Sequence, residues 1–240
     1  MGTEYGISIV VPAYNESGSI LPTLHELLDS LAKFSFNFEI IIVDDCSTDA
    51  TLGIVSKFIE KSMHCTVISH KKNAGFGAAF KTGVAKSRYS YILCVPADCA
   101  YTSQAFNSLF SNFGRLDVIT TYTINTGVRP IIRRVLSRIY SSGLNFFFNM
   151  KLKYFNGISI VPTKLVQGLD LGNHFSFMAE TLITAIKIHE LKLIEIPVCI
   201  TERKQGKSKA LKLRVVGSVM WRLSRLRFLT LWGSRAPNFS

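Results

Sequence analysis

The sequence predicts an α/β protein with a mainly parallel, doubly wound sheet flanked by helices. Two observations favour this class: four short runs rich in Val and Ile open the 240-residue chain, and segments with helical spacing lie between them. Hydrophobic residues make up 48% of the chain and charged residues 18%. This composition is ordinary for a globular protein and excludes a disordered one.

The first half alternates between strands and helices. The predicted strands cover residues 7–11, 39–43, 65–69 and 91–95. Leucines at intervals of three and four between positions 21 and 31 predict the first helix, and Ser47-Thr48-Asp49 is a start signal for the second. Because ligands bind outside the carboxyl ends of strands in such sheets, we expect the site at that edge.

The alternation weakens after residue 128. We predict, in order, a basic helix at 129–150, a strand at 157–161, a helix at 178–189, a strand at 193–198, a polar loop at 201–209 and an apolar helix with scattered cations at 211–232. The chain is thus expected to form one domain, residues 1–209, and a basic C-terminal helix, residues 210–240, that suits a membrane interface. Because the sequence has no run of about 18 uncharged apolar residues and no secretory signal, we expect a cytoplasmic protein without a membrane span.

The positive charge is confined to the second half. Residues 1–128 carry 9 Lys and Arg against 11 Asp and Glu, whereas residues 129–240 carry 19 against 5. This asymmetry favours an anionic partner, which is a nucleic acid, an anionic membrane or a phosphorylated substrate. The five cysteines form no CxxC pair and have no His at zinc-ligand spacing, so we expect reduced thiols.

Polar motifs follow the first two strands. Pro12-Ala13-Tyr14-Asn15-Glu16 ends the first strand, and Asp44-Asp45-Cys46-Ser47-Thr48-Asp49 ends the second. An aromatic ring and carboxylates at neighbouring strand ends suit a nucleoside, with Asp45 as an exposed carboxylate. The alternative is that the Asp44-Asp45 pair caps a helix and Tyr14 is a surface aromatic residue.

The third and fourth strands also lead into candidate segments. The third is followed by Asn73-Ala74-Gly75-Phe76-Gly77, a Gly-x-Gly that close packing of a helix start explains equally well. The fourth runs into Pro96-Ala97-Asp98-Cys99. Because an unpaired buried carboxylate is costly, Asp98 favours a functional role.

These motifs together resemble glycosyltransferase family two, and within it the branch of dolichol-phosphate mannose synthase and bacterial polyprenyl-phosphate sugar transferases. The resemblance extends over about residues 6–212 and includes later landmarks of that branch. These landmarks are Ser137-Arg138, Tyr154-Phe155-Asn156-Gly157, Glu180, Glu195-Ile196-Pro197-Val198 and Arg203-Lys204-Gln205-Gly206-Lys207-Ser208-Lys209. The resemblance implies the Rossmann-like GT-A fold.

The resemblance also implies a donor site for a nucleotide sugar. Its expected members are Pro12, Tyr14, Glu16, Asp45, Asn73, Gly75 and Asp98. Asp98 matches the second carboxylate of the family's Asp-x-Asp motif, which holds Mg²⁺ or Mn²⁺ against the diphosphate. The chain departs from that motif, because Pro96 replaces the first carboxylate and Ala100 stands where some relatives have Gln. A hard cation can be held by one carboxylate with phosphates and water, so the need for a metal stays open here.

The basic half is expected to bind the acceptor. A phosphate monoester is already an anion at neutral pH and needs cations beside it rather than a general base. The expected acceptor-phosphate residues are Arg129, Arg134, Ser137, Arg138 and Lys209. A solvated basic face is the alternative, but Asp and Glu are absent from residues 118–169, whereas solvated faces usually mix signs. Arg203 and Lys209 bracket a loop suited to a diphosphate.

The expected catalytic residues are Asp98, Arg203 and Glu180. Glu180 stands where family members that glycosylate hydroxyl groups keep a catalytic carboxylate, and a phosphate acceptor would shift its role toward orienting arginine or the metal.

The function expected from these features is inverting transfer of a sugar from a nucleotide-diphosphate donor to a polyprenyl phosphate at the cytosolic membrane face. The protein would bind an anionic bilayer peripherally or rely on a separate membrane protein. Transfer to a glycan hydroxyl and a degenerate relative that binds nucleotide sugar without turnover stay open. The sequence has no recognisable nucleic-acid-binding motif, so a nucleic-acid-binding module is the least favoured alternative.

Overall fold

The computed structural model describes residues 4–169, 177–201 and 224–228. The strands are β1 Glu4–Ala13, β2 Phe38–Asp44, β3 Cys65–Ser69, β4 Tyr89–Cys94, β5 Val118–Thr123, β6 Ser159–Pro162 and β7 Leu193–Val198. The α-helices are α1 Ile20–Leu31, α2 Thr51–Ile59, α3 Phe76–Lys86, α4 Ser103–Phe110, α5 Ile131–Phe148, α6 Thr163–Gln167 and α7 Phe177–Lys187. A short 3₁₀ turn, Thr126–Val128, precedes α5.

The strands form one sheet in the order β3-β2-β1-β4-β6-β5-β7. Only β6 is antiparallel to its neighbours β4 and β5 within the described residues, and every other pair is parallel. The chain moves outward from β1 to β2 and β3, and then crosses back through α3 to β4 on the other side of β1. This reversal opens a crevice at the carboxyl ends of β1 and β4, where ligands bind in sheets of this kind.

The mainly parallel α/β class predicted from the sequence is confirmed. Strands β3 and β7 have the predicted bounds, and β1, β2 and β4 lie within a few residues of theirs. Strand β5 is absent from the sequence prediction. With three threonines among its six residues, β5 is less apolar than the other strands. Thr120 and Thr121 are nevertheless buried, and their hydroxyls hydrogen-bond to β6 and to the residue before it.

Two apolar layers hold the sheet between helices. Ile7, Ile9 and Val11 of β1 face the layer formed with α1 and α4, whereas Val10 faces the layer formed with α3, α6 and α7. This alternation with apolar residues on both faces explains why β1 is a continuous apolar run. A third cluster joins Leu144 of α5 to α7 and positions α5 beside the carboxyl edge of the sheet.

The last described segment, residues 224–228, is helical and packs against α5 through Leu226. The rest of the predicted helix at 211–232 and nearly all of the predicted loop at 201–209 lie outside the described residues. No helix in the described part of the chain is long and apolar enough to cross a bilayer.

Candidate active site

The loops after β1 and β2 lock together at the crevice. The side-chain oxygen of Asn15 accepts a hydrogen bond from the Thr48 amide at 2.8 Å, and the Glu16 amide donates to the Thr51 hydroxyl at 2.9 Å. Asn15 and Cys46 both adopt left-handed backbone conformations, with φ of 56° and 62°. These bonds fix the backbone on either side of the half-buried Tyr14.

Two of the expected donor-site residues shape these loops. Pro12 is buried in β1 opposite Val43, so it defines the end of the strand. A carboxylate oxygen of Glu16 accepts the Ser19 hydroxyl at 2.5 Å, immediately before α1 begins. Both residues thus have structural contacts, and their predicted contacts with a donor stay predictions.

Asp45 is buried, with 3% of its surface exposed, which corrects the expectation of an exposed carboxylate. Its Oδ1 accepts the Ala74 amide at 2.8 Å and lies 2.7 Å from His70 Nδ1, and its Oδ2 accepts the Gly75 amide at 2.8 Å. Because an ionised carboxylate only accepts, His70 Nδ1–H is the donor. Asp45 therefore fastens the end of β2 to the loop before α3.

The loop that Asp45 holds contains two more expected donor residues. Asn73 is exposed, and its side-chain amide donates to the Asp45 carbonyl at 3.2 Å. Gly75 precedes α3 with a φ of 95°, a conformation that side chains other than glycine's rarely adopt. His70, whose Nε2 lies 2.9 Å from the Thr82 hydroxyl, belongs to this network and is absent from the sequence prediction.

Asp44 combines a loop contact with an unpaired atom. Its Oδ2 accepts the Ser47 amide at 3.1 Å, in the loop before α2. It does not cap that helix, whose N-cap is Ala50 without a side-chain bond, so the capping alternative is wrong for this residue. Its Oδ1 is buried and has no hydrogen-bond partner among the described residues. Because buried polar atoms are normally paired, this oxygen offers an acceptor to an N–H group or a cation.

Asp98 lies half-buried in the loop after β4, and its Oδ1 accepts the Ala100 amide at 3.3 Å. The loop is held by α1, because the Cys99 amide donates to the Thr23 hydroxyl at 3.0 Å, and by the segment after β7, because the Thr201 hydroxyl donates to the Cys99 carbonyl at 2.7 Å. Asp98 is thus a fixed carboxylate at the crevice.

The donor set at Asp98 fits a metal shared with a substrate. The described residues contain no cluster of three or more His, Cys, Asp or Glu side chains that could hold an ion by themselves. Mg²⁺ is commonly held by one or two carboxylates together with substrate phosphates and water. Asp98 with a diphosphate meets that requirement.

A basic pocket of about 200 Å³ lies between α5 and the loop before β6. It is lined by Tyr122, Thr123, Thr126, Arg129, Arg134, Ser137, Arg138, Ser141, Lys153 and Tyr154. All the expected acceptor-phosphate residues that the structure describes therefore meet in one place. Lys209 and Arg203 lie outside the described residues. Lys153 and Ser141 are members that the sequence prediction does not include.

Two of the four cations of the pocket, Arg129 and Lys153, contact tyrosines. Arg129 donates to the Tyr154 hydroxyl at 3.1 Å, and its guanidinium carbon lies 5.5 Å from the centre of that ring. The Lys153 ammonium lies 4.1 Å from the centre of the Tyr122 ring, and a hydrogen bond to Tyr122 raises the pKa of Lys153. No carboxylate lines the pocket among the described residues, so its four cations favour an anionic ligand.

Two donors in the pocket have no partner of their own. Arg134 Nε and Ser141 Oγ are buried and make no hydrogen bond in the described part of the protein. Positions 134, 137, 138 and 141 lie three and four residues apart, which places them on one face of α5. A guanidinium N–H and a hydroxyl on the same face match the oxygens of a phosphate group.

Tyr101 lies near both the loop after β4 and the basic pocket. Burial of its ring raises its pKa, Tyr154 and Asp98 raise it further, and Arg129 lowers it. The ring itself does not line the pocket.

Glu180 is a residue of α7, which packs against α5. It is buried in the first turn of α7 and is not among the residues that line the pocket. Burial raises the pKa of Tyr140 on α5, and the charge of Glu180 raises it further, so the two side chains are close. Its predicted catalytic role stays a prediction.

The Asn156-Gly157 motif has a packing explanation at its glycine. A Cβ atom at Gly157 would lie 1.9 Å from the Thr121 carbonyl oxygen, so the chain approaches β5 too closely for any side chain. The Asn156 side-chain oxygen is buried without a hydrogen-bond partner in the ranges that the structure describes.

Comparison with known sequences identifies relatives of the first two thirds of the chain. The family model of glycosyl transferase family 2 matches residues 8–165. A dolichyl-phosphate beta-glucosyltransferase of Dictyostelium discoideum is 39% identical over 112 residues, which are 42% of this chain and 33% of the relative. The dolichol-phosphate mannosyltransferase of Saccharomyces cerevisiae is 26% identical over 170 residues, or 64% of this chain and 63% of the relative. The match thus spans between a third and a half of the length of the first three curated relatives.

Solved structures share the fold. Glucosyl-3-phosphoglycerate synthase from Mycobacterium tuberculosis, crystallised with Mn²⁺, uridine-diphosphate-glucose and phosphoglyceric acid, superimposes with a TM-score of 0.65 at 15% identity. The alignment covers 98% of this chain and 81% of the synthase. The same enzyme has also been crystallised with Mg²⁺. The GT-A fold expected from the sequence is therefore confirmed.

Proposed function

Because the chain belongs to glycosyltransferase family 2, we propose that it transfers a sugar from a nucleotide diphosphate to a polyprenyl phosphate, with inversion at the anomeric carbon. The observation that carries the proposal is the basic pocket, where four cations meet two buried donors that have no hydrogen-bond partner among the described residues. The names of the relatives, which include a dolichyl-phosphate glucosyltransferase and a dodecaprenyl-phosphate galacturonate synthase, support the same acceptor class.

The donor would lie in the crevice between the ends of β1 and β4. Tyr14 offers a ring for the base, and the hydrogen bonds between the loops after β1 and β2 hold the backbone on either side of it. Asp45 would act by holding the loop that carries Asn73 and Gly75, while one oxygen of that carboxylate accepts a single hydrogen bond from the described residues. Asp98 would hold Mg²⁺ or Mn²⁺, which when bound neutralises charge on the leaving diphosphate.

The acceptor phosphate would lie in the basic pocket and act as the nucleophile through one of its anionic oxygens. The pocket cations offset the repulsion between this anion and the diphosphate of the donor. Arg134 and Ser141 would orient the phosphate through hydrogen bonds that nothing else in the described protein takes up. The C–O bond to the diphosphate breaks as the new bond to the phosphate oxygen forms on the opposite face of the sugar.

This chemistry distinguishes a phosphate from a hydroxyl acceptor. A hydroxyl nucleophile needs a base to take its proton, and the pocket lining contains no carboxylate among the described residues. A phosphate monoester has already lost that proton at neutral pH. We therefore favour the lipid phosphate over a glycan hydroxyl, and we place the protein on the cytosolic face of the membrane, bound peripherally or through a separate membrane protein.

The test compares two arginines on α5. Arg134 lines the pocket and Arg133, its exposed neighbour, does not. The purified full chain is assayed with a panel of nucleotide sugars and a short-chain polyprenyl phosphate dispersed in detergent. Arg134→Gln is expected to raise the KM for the acceptor at least about tenfold, because it loses a charge-assisted hydrogen bond, and to leave the KM for the donor unchanged.

Arg133→Gln is the matched control and should leave both constants unchanged. If Arg134→Gln had the same acceptor KM as the wild type, the basic pocket would not be the acceptor site. Donor binding without transfer to any acceptor in the panel would instead favour the degenerate nucleotide-sugar-binding relative.

A further inference from the structure

His70 is the first residue after β3 and joins three elements at the carboxyl edge of the sheet. Its amide donates to the Asp44 carbonyl at 2.9 Å, which continues the pairing of β2 and β3 by one residue. Its side chain is mostly buried, with 16% exposed. Nδ1 lies 2.7 Å from Asp45 Oδ1, and Nε2 lies 2.9 Å from the Thr82 hydroxyl on α3. Both ring nitrogens thus have a partner, which fixes the orientation of the imidazole.

The donors and acceptors around this ring can be assigned. Because the ionised Asp45 carboxylate only accepts, Nδ1–H of His70 donates to it. Nε2 of the neutral ring then accepts, and the Thr82 hydroxyl is its donor. That hydroxyl has a second acceptor, the Ala78 carbonyl, at the longer distance of 3.2 Å. His70 therefore links the carboxylate after β2 to the middle of α3.

The Asp45 carboxylate depends on this imidazole. It is buried, and in the described ranges no Lys or Arg forms an ion pair with it. Its other two donors are the amides of Ala74 and Gly75, in the loop before α3. A buried carboxylate is costly unless its hydrogen bonds are complete. Loss of the bond from His70 would therefore favour rotation of the carboxylate toward water, and this rotation would release both amides.

We propose that His70 is a positioning residue of the donor site, which keeps Asp45 on these two amides and so holds the loop of residues 73–75 in its binding conformation. The proposal rests on the proposed function, because the loop carries the expected donor residues Asn73 and Gly75. A loop that is already ordered costs less free energy when it binds a ligand. The affinity for a nucleotide thus follows the fraction of molecules in which the loop is in place.

The alternative is that the ring only fills space between β3 and α3, and two amide side chains separate these roles. The side-chain nitrogen of Asn is as many bonds from Cα as Nδ1 of His, so His70→Asn keeps a donor for Asp45. The nitrogen of Gln corresponds to Nε2, so His70→Gln keeps a group near Thr82 and loses the bond to Asp45. Gln is closer to His in size, so space filling makes Gln the milder change, whereas positioning makes Asn the milder one.

The experiment titrates the full chain with uridine diphosphate and with guanosine diphosphate, each with Mg²⁺, in a calorimeter. His70→Ala and His70→Gln should bind the nucleotide at least about tenfold more weakly than the wild type, whereas His70→Asn should stay within about threefold of it. Hydrogen exchange at amides 74 and 75, measured without nucleotide, should be at least about tenfold faster in the Ala and Gln variants. The control His64→Ala, at the exposed histidine before β3, should match the wild type in both measurements.

Affinity and exchange in His70→Ala equal to those of the wild type would overturn the proposal, and so would a Gln variant that binds more tightly than the Asn variant. If His70→Ala does not fold, the comparison of Asn with Gln decides alone. In the transfer assay, His70→Ala should raise the KM for the nucleotide sugar and leave the KM for the acceptor unchanged, because His70 does not line the basic pocket. Failure of the proposed function alone would appear as the expected order of nucleotide affinities without sugar transfer by the wild type.

Discussion

Replacement of Asp45 by Ala should destabilise the protein and not only weaken donor binding. The carboxylate accepts two backbone amides and one imidazole N–H, all at 2.7 to 2.8 Å. Each donor left without a partner costs about 1–3 kcal/mol, and the lower end applies because the loop before α3 is partly exposed. The sum is about 3 kcal/mol, which for a chain of this size lowers the melting temperature by roughly 6–12 °C.

The assay is thermal unfolding and urea denaturation of Asp45→Ala beside Asp29→Ala. Asp29 is an exposed carboxylate on α1, and its removal should change stability by less than about 0.5 kcal/mol. The Asp45 variant should also lose affinity for the nucleotide, because the loop that carries Gly75 is released. An Asp45→Ala protein as stable as the Asp29 variant would refute the conclusion that this carboxylate fastens the site.

Two further predictions concern a hydroxyl and a carboxylate. Ser141→Ala should raise the acceptor KM about tenfold. The stability of the protein should stay equal or increase, because the buried hydroxyl has no hydrogen-bond partner among the described residues. The control Ser142→Ala, at an exposed position, should change neither kinetics nor stability. Burial raises the pKa of Asp49, but hydrogen bonds from Thr51 and Ser17 outweigh it and hold the pKa at about 2. Because this pKa is lowered, Asp49 contributes stability that is present above about pH 4 and is lost as the pH falls toward 2. Asp49→Asn should therefore make the free energy of unfolding less dependent on pH between about pH 4 and 2. The change should be small because Asp49 is exposed.

The strand ends and the basic helix could be predicted from the sequence because each depends on local pattern. Val and Ile runs specify β1 and β2, and the spacing of Arg134 and Arg138 places them on one helix face. Strand β5 escaped this reasoning because its threonines are buried only through bonds to residues almost forty positions away. The sequence pattern indicates which side chains are apolar. It does not indicate which polar groups form hydrogen bonds with residues far along the chain.

The same limit explains the differences at the site. The position of Asp45 directly after a strand predicts an exposed carboxylate. The loop before α3, whose amides donate to it, buries the side chain instead. Lys153 and Ser141 join the pocket because α5 folds back beside the loop before β6, a contact that neither local sequence contains. The apolar spacing from Ile132 to Ile139 is visible in the sequence, but only the packing of α5 on α7 shows that this side faces outward.

The central claim is that a sugar passes from a nucleotide diphosphate to a lipid phosphate. The most direct measurement incubates the purified full chain with labelled nucleotide sugars and a polyprenyl phosphate and determines the mass and anomeric configuration of the lipid product. The account predicts a glycosyl phosphate ester whose anomeric configuration is opposite to that of the donor, with release of the nucleoside diphosphate. A product glycosylated at a hydroxyl, or retention of the donor's configuration, would contradict it.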